Sequence, residues 1–461
     1  MNHMNMTPTE AIAAFIADTR YEDLPEKAVQ TAKTALTDFI GVAMAGTREP
    51  LHGILLNYVR DCGGNPKASV FSSGMKTSAE FAAMVNGAAG HALDFDDWSM
   101  ATHGHPSVFL VPTLLALGEE YGFSAKELLA AYVVGFEVAA MFPYAATIRH
   151  YDQGWHITGT IGALGAAAAA CSLMKLPREA VQRAIGMSCS MAAGIRANNG
   201  TMTKPLHAGN AAANGVKAAR LAALGYTSEP NIIEIPRGFL YSFGYTEALD
   251  WDEILDRLGS RFEICGNEGI NIKPYPACGG IAFAVDAVKE LRARYEFELG
   301  EIREIELWVN PIAGLPLIHH NPKKGLEGKF SLEYATARAL LTGGLKLDDF
   351  TDEKVNEPAI KALMAKMIWT EKYPMPSKNG AAEEFDPKGI LLRMADGREL
   401  LSEVFIHAGM PQKPMPRERL EEKFRDCAGY ALSAEKIDKV LALLNHFEEL
   451  DSVAELMDIL R

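Results

Sequence analysis

Gly159-Thr160-Ile161-Gly162-Ala163-Leu164-Gly165-Ala166-Ala167-Ala168-Ala169-Ala170 is the stretch on which the fold class turns. Three glycines among apolar residues invite a dinucleotide-binding loop. Their spacing, however, is G-x-x-G-x-x-G and no strand pattern precedes them, whereas that loop joins a strand to a helix through a tight turn. Small residues three and four positions apart instead let helices approach closely, so the stretch is expected to be a buried packing helix.

Helical patterns extend outward from it. Upstream, Thr7-Pro8-Thr9-Glu10 is a capping box with proline at the first helical position. Pro25-Glu26 opens a second helix that ends near Gly46. Further helices are expected over roughly 78 to 93, 107 to 121, 124 to 147, 157 to 174, 177 to 193 and 207 to 224. Past Gly266 the pattern changes: Ile270 to Pro276 is held extended by its prolines, and Gly279-Gly280 leads into a helix. Ile302 to Val309 alternates Ile305, Leu307 and Val309 against Glu304, Glu306 and Trp308, the period of a strand with one buried face. Helices are expected at about 330 to 342 and 356 to 369. Gly389 to Met394 and Glu399 to Ile406 flank Ala395-Asp396-Gly397, a hairpin signal. Three helical patterns close the chain. The expected architecture is mainly α, with an all-helical domain built from both chain ends (1–267 and 411–461) and an inserted α+β segment (268–410).

At 461 residues and 48% hydrophobic content the chain can bury a large core. A net charge of -14 without any Lys/Arg run argues against nucleic acid or an anionic membrane as partner. The six cysteines are scattered, with no C-x-x-C and no cluster spacing, which fits a reduced, cytoplasmic protein and no iron-sulfur cluster. No secretory signal and no apolar stretch long enough for a membrane span is visible.

Between two apolar helical runs lies His91-Ala92-Leu93-Asp94-Phe95-Asp96-Asp97-Trp98-Ser99-Met100-Ala101-Thr102-His103-Gly104-His105-Pro106-Ser107. Acids and imidazoles held between buried helices must be paired to offset their desolvation, so the cluster is the candidate site. If the preceding helix continues through it, Asp94 and Asp97 share one face at i, i+3 and Asp96 points elsewhere. The alternative is that Asp96, Asp97 and Ser99 are helix-end residues capping the helix that starts near Pro106.

Three more motifs accompany this cluster: Trp155-His156-Ile157-Thr158-Gly159-Thr160, Thr203-Lys204-Pro205-Leu206-His207-Ala208-Gly209-Asn210, and Ile272-Lys273-Pro274-Tyr275-Pro276-Ala277-Cys278. In this order and spacing the four resemble the MmgE/PrpD family, which includes 2-methylcitrate dehydratase, cis-aconitate decarboxylase and iminodisuccinate epimerase. The resemblance runs over essentially the whole chain. It implies a helical domain with a smaller inserted lid, a homodimer, and an active site for a small carboxylic acid that needs no metal or organic cofactor. In decarboxylase-like members the pocket positions match Asp94, His105, His156, Lys204 and Lys273 here, the expected catalytic set. Asp97, Trp98, His103, Thr158, His207 and Tyr275 are the expected substrate contacts.

Those residue types suit the chemistry. Eliminating water or carbon dioxide from a polycarboxylate, or epimerising it, means holding carboxylates with cations while a proton moves at a carbon beside one of them. Lys204 and Lys273 each precede a proline, which biases their backbone away from the helical region and can aim both ammonium groups into a cleft. His105 and His156 are the expected proton carriers, since imidazole titrates near neutral pH, and Asp94 would orient one of them. One feature departs from the family pattern: Trp98 stands where dehydratase and decarboxylase members usually carry threonine, and the distance to His105-Pro106-Ser107 is one residue longer. A bulky indole there favours a smaller or differently shaped acid than citrate. A lyase is the first expectation, an isomerase using the same site the second, and a helical binding protein with a decayed site the third.

Overall fold

The computed structural model describes residues 6–142, 149–245, 249–309, 314, 316–371 and 388–461. The protein is mainly helical, with a small mixed sheet in the C-terminal region. It forms two compact units, one of Met1–Ala92, Asp96–Ile272 and Pro416–Arg461, the other of Leu93–Phe95 and Lys273–Met415.

In the first unit, α1 (Pro8–Asp18) opens on the expected capping box, Thr7 accepting from the Glu10 amide while Glu10 reaches back to the Thr7 amide. It is followed by α2 (Glu26–Gly46), α3 (Pro50–Cys62), α4 (Ala79–His91), α5 (Ser107–Tyr121), α6 (Ala125–Ala140), α7 (Ile157–Leu173), α8 (Arg178–Met191) and α9 (Thr203–Ala223). Helix α6 was expected to run to 147 but ends at Ala140, and residues 143–147 lie outside the described residues. Helix α7 is the glycine- and alanine-rich stretch, and it packs on α6, α9 and α5. Its glycines are contact points: a Cβ at Gly165 would stand 3.0 Å from the Gly135 carbonyl oxygen of α6, and one at Gly159 only 2.4 Å from that of Ala193. Backbones this close leave no room for a side chain, so the glycines serve packing. The helix Arg417–Ala428 lies on α2, where Phe424 fills the space a Cβ at Gly41 would need and Lys423 pairs with buried Asp38 at 2.7 Å.

Two expectations for this unit are corrected. It is not all helical, because β1 (Ala68–Ser69) pairs with β2 (Lys76–Thr77) and β3 (Trp98–Ser99) with β4 (Ile270–Asn271), both antiparallel. Two-residue ladders are too short to print an alternating pattern in sequence. Helix α9 also starts earlier than expected and includes Lys204 and Pro205. The first-turn amides of a helix have no intrahelical acceptor, so proline is tolerated there and its bias on the preceding residue is overridden.

In the second unit a four-stranded sheet has the order β6-β5-β7-β8, where β5 is Ile302–Val309, β6 Met367–Glu371, β7 Lys388–Met394 and β8 Glu399–Val404. β5 and β6 are parallel, and the other pairs antiparallel. Ile305, Leu307, Ile390 and Leu392 share a core with Val285, Val288, Leu291 and Leu340 from the helices Ala282–Arg294 and Leu332–Thr342. On the opposite face Arg393 pairs with Glu304 and Glu306 across the ladder. Trp308 was expected on the wet face and is buried instead, because Gly389 opposite it leaves space for the indole. The helix expected over 356–369 is also corrected: it covers Pro358–Met364, and Met367–Glu371 is an edge strand beside β5. A short apolar run carries no period that separates the two states. No described helix is long and apolar enough to cross a membrane.

Candidate active site

Helix α4 stops at His91, and the chain then turns so that Asp94 takes a left-handed backbone conformation with φ 52°. This break overturns the helical reading of the acids. Asp96, expected to point elsewhere, is the acid that meets the imidazoles: its Oδ2 lies 2.9 Å from His91 Nδ1 and 3.0 Å from His105 Nδ1. His105 Nδ1 also lies 2.8 Å from the Asp97 carbonyl oxygen. A carboxylate and a carbonyl are both acceptors, so His105 Nδ1 carries a proton, and the tautomer this selects is the one with Nε2 as the acceptor nitrogen. The same logic protonates His91 at Nδ1.

Burial alone would raise the pKa of Asp96, but the rings of His91 and His105 hold it well below the usual carboxylate range. Burial lowers His91 to about 4, with the Lys204 ammonium acting in the same direction and Asp96 opposing. The assembly is thus an ionised aspartate under two imidazoles, one of them buried and neutral. His105 keeps 17% of its side chain exposed, and its amide donates to Thr158 Oγ1 at 3.2 Å.

The imidazoles continue as an array. His91 is 4.5 Å from His105 and 6.0 Å from His156 between ring centroids, and His156 Nδ1 is 3.1 Å from His207 Nδ1. One of that last pair donates to the other. His156 caps the start of α7, and its amide donates to the Gly194 carbonyl at 3.0 Å. Lys204, the second residue of α9, is buried. Burial first and the Lys204 charge second lower His156 well below the ordinary imidazole value and lower His207 as well. The first unit therefore holds a fixed cation among three imidazoles that stay neutral near pH 7.

The other expected residues are placed as follows. Asp97 caps α5, accepting at 3.2 Å from the Ser107 amide and also from the Ser107 hydroxyl, which is 2.8 Å from the Tyr132 hydroxyl. Burial pushes Asp97 up to about 8 against those hydrogen bonds. This is the capping alternative, realised for Asp97 and not for Asp96. Trp98 is half-buried in β3 opposite Asn271, whose amide donates to its carbonyl at 3.3 Å. His103 sits on a left-handed backbone at φ 49°. In the second unit, Lys273 Nζ donates to the Asp94 carbonyl at 2.8 Å and lies 3.3 Å from Asp94 Oδ1. The Tyr275 hydroxyl donates to Asp286 Oδ1 at 2.7 Å and accepts from Lys289 at 2.8 Å.

Asp96 and His91 were not singled out in the sequence, although both stand in its densest cluster. What brings them together is the end of α4, and no residue pattern marks that turn. The ligand-type atoms of His91, Asp96 and His105 lie within 4.8 Å of one another, close enough for one divalent ion. An ion bound through the two Nδ1 atoms would displace the protons that both imidazoles donate to Asp96. Asp96 Oδ2 takes both imidazole donors, while Asp96 Oδ1 and His91 Nε2 are buried without a hydrogen-bond partner among the described residues.

Comparison with known proteins adds two family matches, the MmgE/PrpD N-terminal domain over residues 10–252 and the MmgE/PrpD C-terminal domain over residues 275–446. The chain is 28% identical to the cis-aconitate decarboxylase of Homo sapiens over 466 residues, covering 98% of this chain and 94% of the human protein. It is 28% identical to that of Mus musculus, covering 98% and 93%. It is 25% identical to that of Aspergillus terreus, covering 98% and 95%.

Proposed function

This chain belongs to the MmgE/PrpD family, and from that premise we propose that it is a cofactor-independent lyase acting on a small di- or tricarboxylic acid. The observation that carries the reading is the Asp96–His105 pair, which fixes the tautomer of His105 and leaves Nε2 to accept or donate a proton. When Nε2 takes a proton, the imidazolium forms beside an ionised carboxylate and is stabilised by it. Lys204 supplies the positive charge that a carboxylate substrate requires, from a buried position where such a charge acts strongly. Relatives named cis-aconitate decarboxylases make a tricarboxylate the first candidate substrate. In a decarboxylation the carbon-carbon bond to one carboxyl group breaks, carbon dioxide leaves, and the electron pair left behind is quenched by a proton, the role proposed for His105. In a dehydration His105 removes the proton from carbon and returns it to the leaving hydroxyl, which departs as water while the alkene forms.

An isomerase is the second reading. It is favoured by the presence of two imidazole assemblies, His105 with Asp96 and His156 with His207, each able to move a proton. Proton NMR in D2O with cis-aconitate and a panel of small carboxylic acids separates the two. A lyase forms or consumes an alkene or releases carbon dioxide. An isomerase washes deuterium into its substrate with no change in unsaturation, and that result, abolished by His156→Ala, would replace the lyase assignment. A homodimer is part of the same proposal, and sedimentation at catalytic concentrations tests it.

A further inference from the structure

Leu93, Asp94 and Phe95 fold with Lys273–Met415 in the second unit. Two buried lysines act on this short segment. Lys273 Nζ donates to the Asp94 carbonyl at 2.8 Å. Lys329 Nζ donates to the Leu93 carbonyl, and at 3.0 Å to the Pro276 carbonyl. The Leu93 oxygen belongs to the peptide plane before the Asp94 Cα, and the Asp94 oxygen to the plane after it. Fixing both planes fixes φ and ψ of Asp94, the only two soft backbone angles it has. Asp94 is held at φ 52°, a region that side-chain-bearing residues rarely occupy without support.

The surroundings of Lys329 show that its ammonium is built in. The residue is buried, its Nζ lies 4.8 Å from the Phe350 ring centroid, and its carbonyl accepts from the Cys278 amide at 3.1 Å. A buried ammonium is costly unless its protons are used, and here they are spent on the carbonyls of residues 93 and 276. Those two segments carry Asp94 and Lys273, which are themselves paired.

We infer that Lys329 is a positioning residue: it locks the Leu93–Asp94 peptide plane and so sets the direction of the Asp94 carboxylate and its Lys273 partner, without touching substrate. The kinetic consequence rests on the lyase reading together with the catalytic role expected of Asp94, whereas the conformational one does not.

The test uses the full chain with Lys329→Met, which keeps length and removes the donors, and Lys329→Gln, whose shorter amide reaches at most one carbonyl. Hydrogen exchange of a peptide covering residues 92–97 should speed up about tenfold or more in either folded variant, with the helix Ala282–Arg294 unchanged. On cis-aconitate as probe, kcat should fall about tenfold or more with KM nearly constant. Asp94→Asn combined with Lys329→Met should be no slower than Asp94→Asn alone, since both act through one carboxylate. Unchanged exchange at 92–97 in a folded variant overturns the inference, as does a double variant whose losses multiply. A wild-type protein inert toward every acid sinks the lyase reading, while the exchange result still decides the role of Lys329.

Discussion

Asp96 Oδ2 and His105 Nδ1 lie 3.0 Å apart, between a fully buried carboxylate and a ring that keeps 17% of its side chain exposed. A buried acid so placed controls which ring nitrogen is available to a substrate. Asp96→Asn offers an amide in place of one acceptor oxygen and permits the other tautomer. Turnover of the best substrate should fall about a hundredfold or more, as expected when a general base loses its orienting carboxylate. Circular dichroism should show the fold intact; near-normal turnover in a folded variant would remove Asp96 from the mechanism.

Lys204→Ala removes the charge that helps to lower His156 and His207. The loss in kcat/KM should correspond to about 3 kcal/mol, the scale of one charged donor in an enclosed site. Both imidazoles should also titrate at higher pH, which histidine ring NMR can follow. An unaltered titration together with normal turnover would make Lys204 a structural lysine.

Activity should survive exhaustive chelation, because the proposed proton transfer runs through His105 and Asp96 and calls on no metal. Loss of turnover in EDTA, restored by a divalent ion, would convert the His91, Asp96 and His105 cluster into a metal centre and end the proton-transfer account.

Stability should fall as pH drops from about 6.5 toward 4. His91 is lowered to about 4 by burial, so in this window the unfolded chain binds a proton that the folded chain refuses, and stability must rise with pH. His91→Asn keeps an amide donor near Asp96 and removes the titration. Its loss of stability between pH 6.5 and 4 should be smaller than the wild type's by an amount on the order of a few kcal/mol. Equal acid sensitivity in both proteins would show that His91 protonates without unfolding cost.

Much of the helical framework was legible in the sequence because its signals are local. The Thr7–Glu10 capping box, the helix Ser107–Tyr121 and the glycine-rich helix Ile157–Leu173 each announce themselves within one or two turns. The strand Ile302–Val309 and the hairpin at Ala395-Asp396-Gly397 do so through period two and turn chemistry. Motif resemblance rather than spacing is what singled out Asp94, His105, His156, Lys204 and Lys273 as the expected catalytic set. Tertiary structure alone decided which acid serves which ring. The end of α4 at His91 and the left-handed turn at Asp94 swap the faces of Asp96 and Asp97, so that one carries the imidazoles and the other caps a helix. Lys329 stands 236 positions from Leu93 in sequence, yet its ammonium meets that carbonyl. A contact between residues so far apart leaves no periodic trace; it exists only once folding has brought the segments together, and burial then makes its hydrogen bonds obligatory.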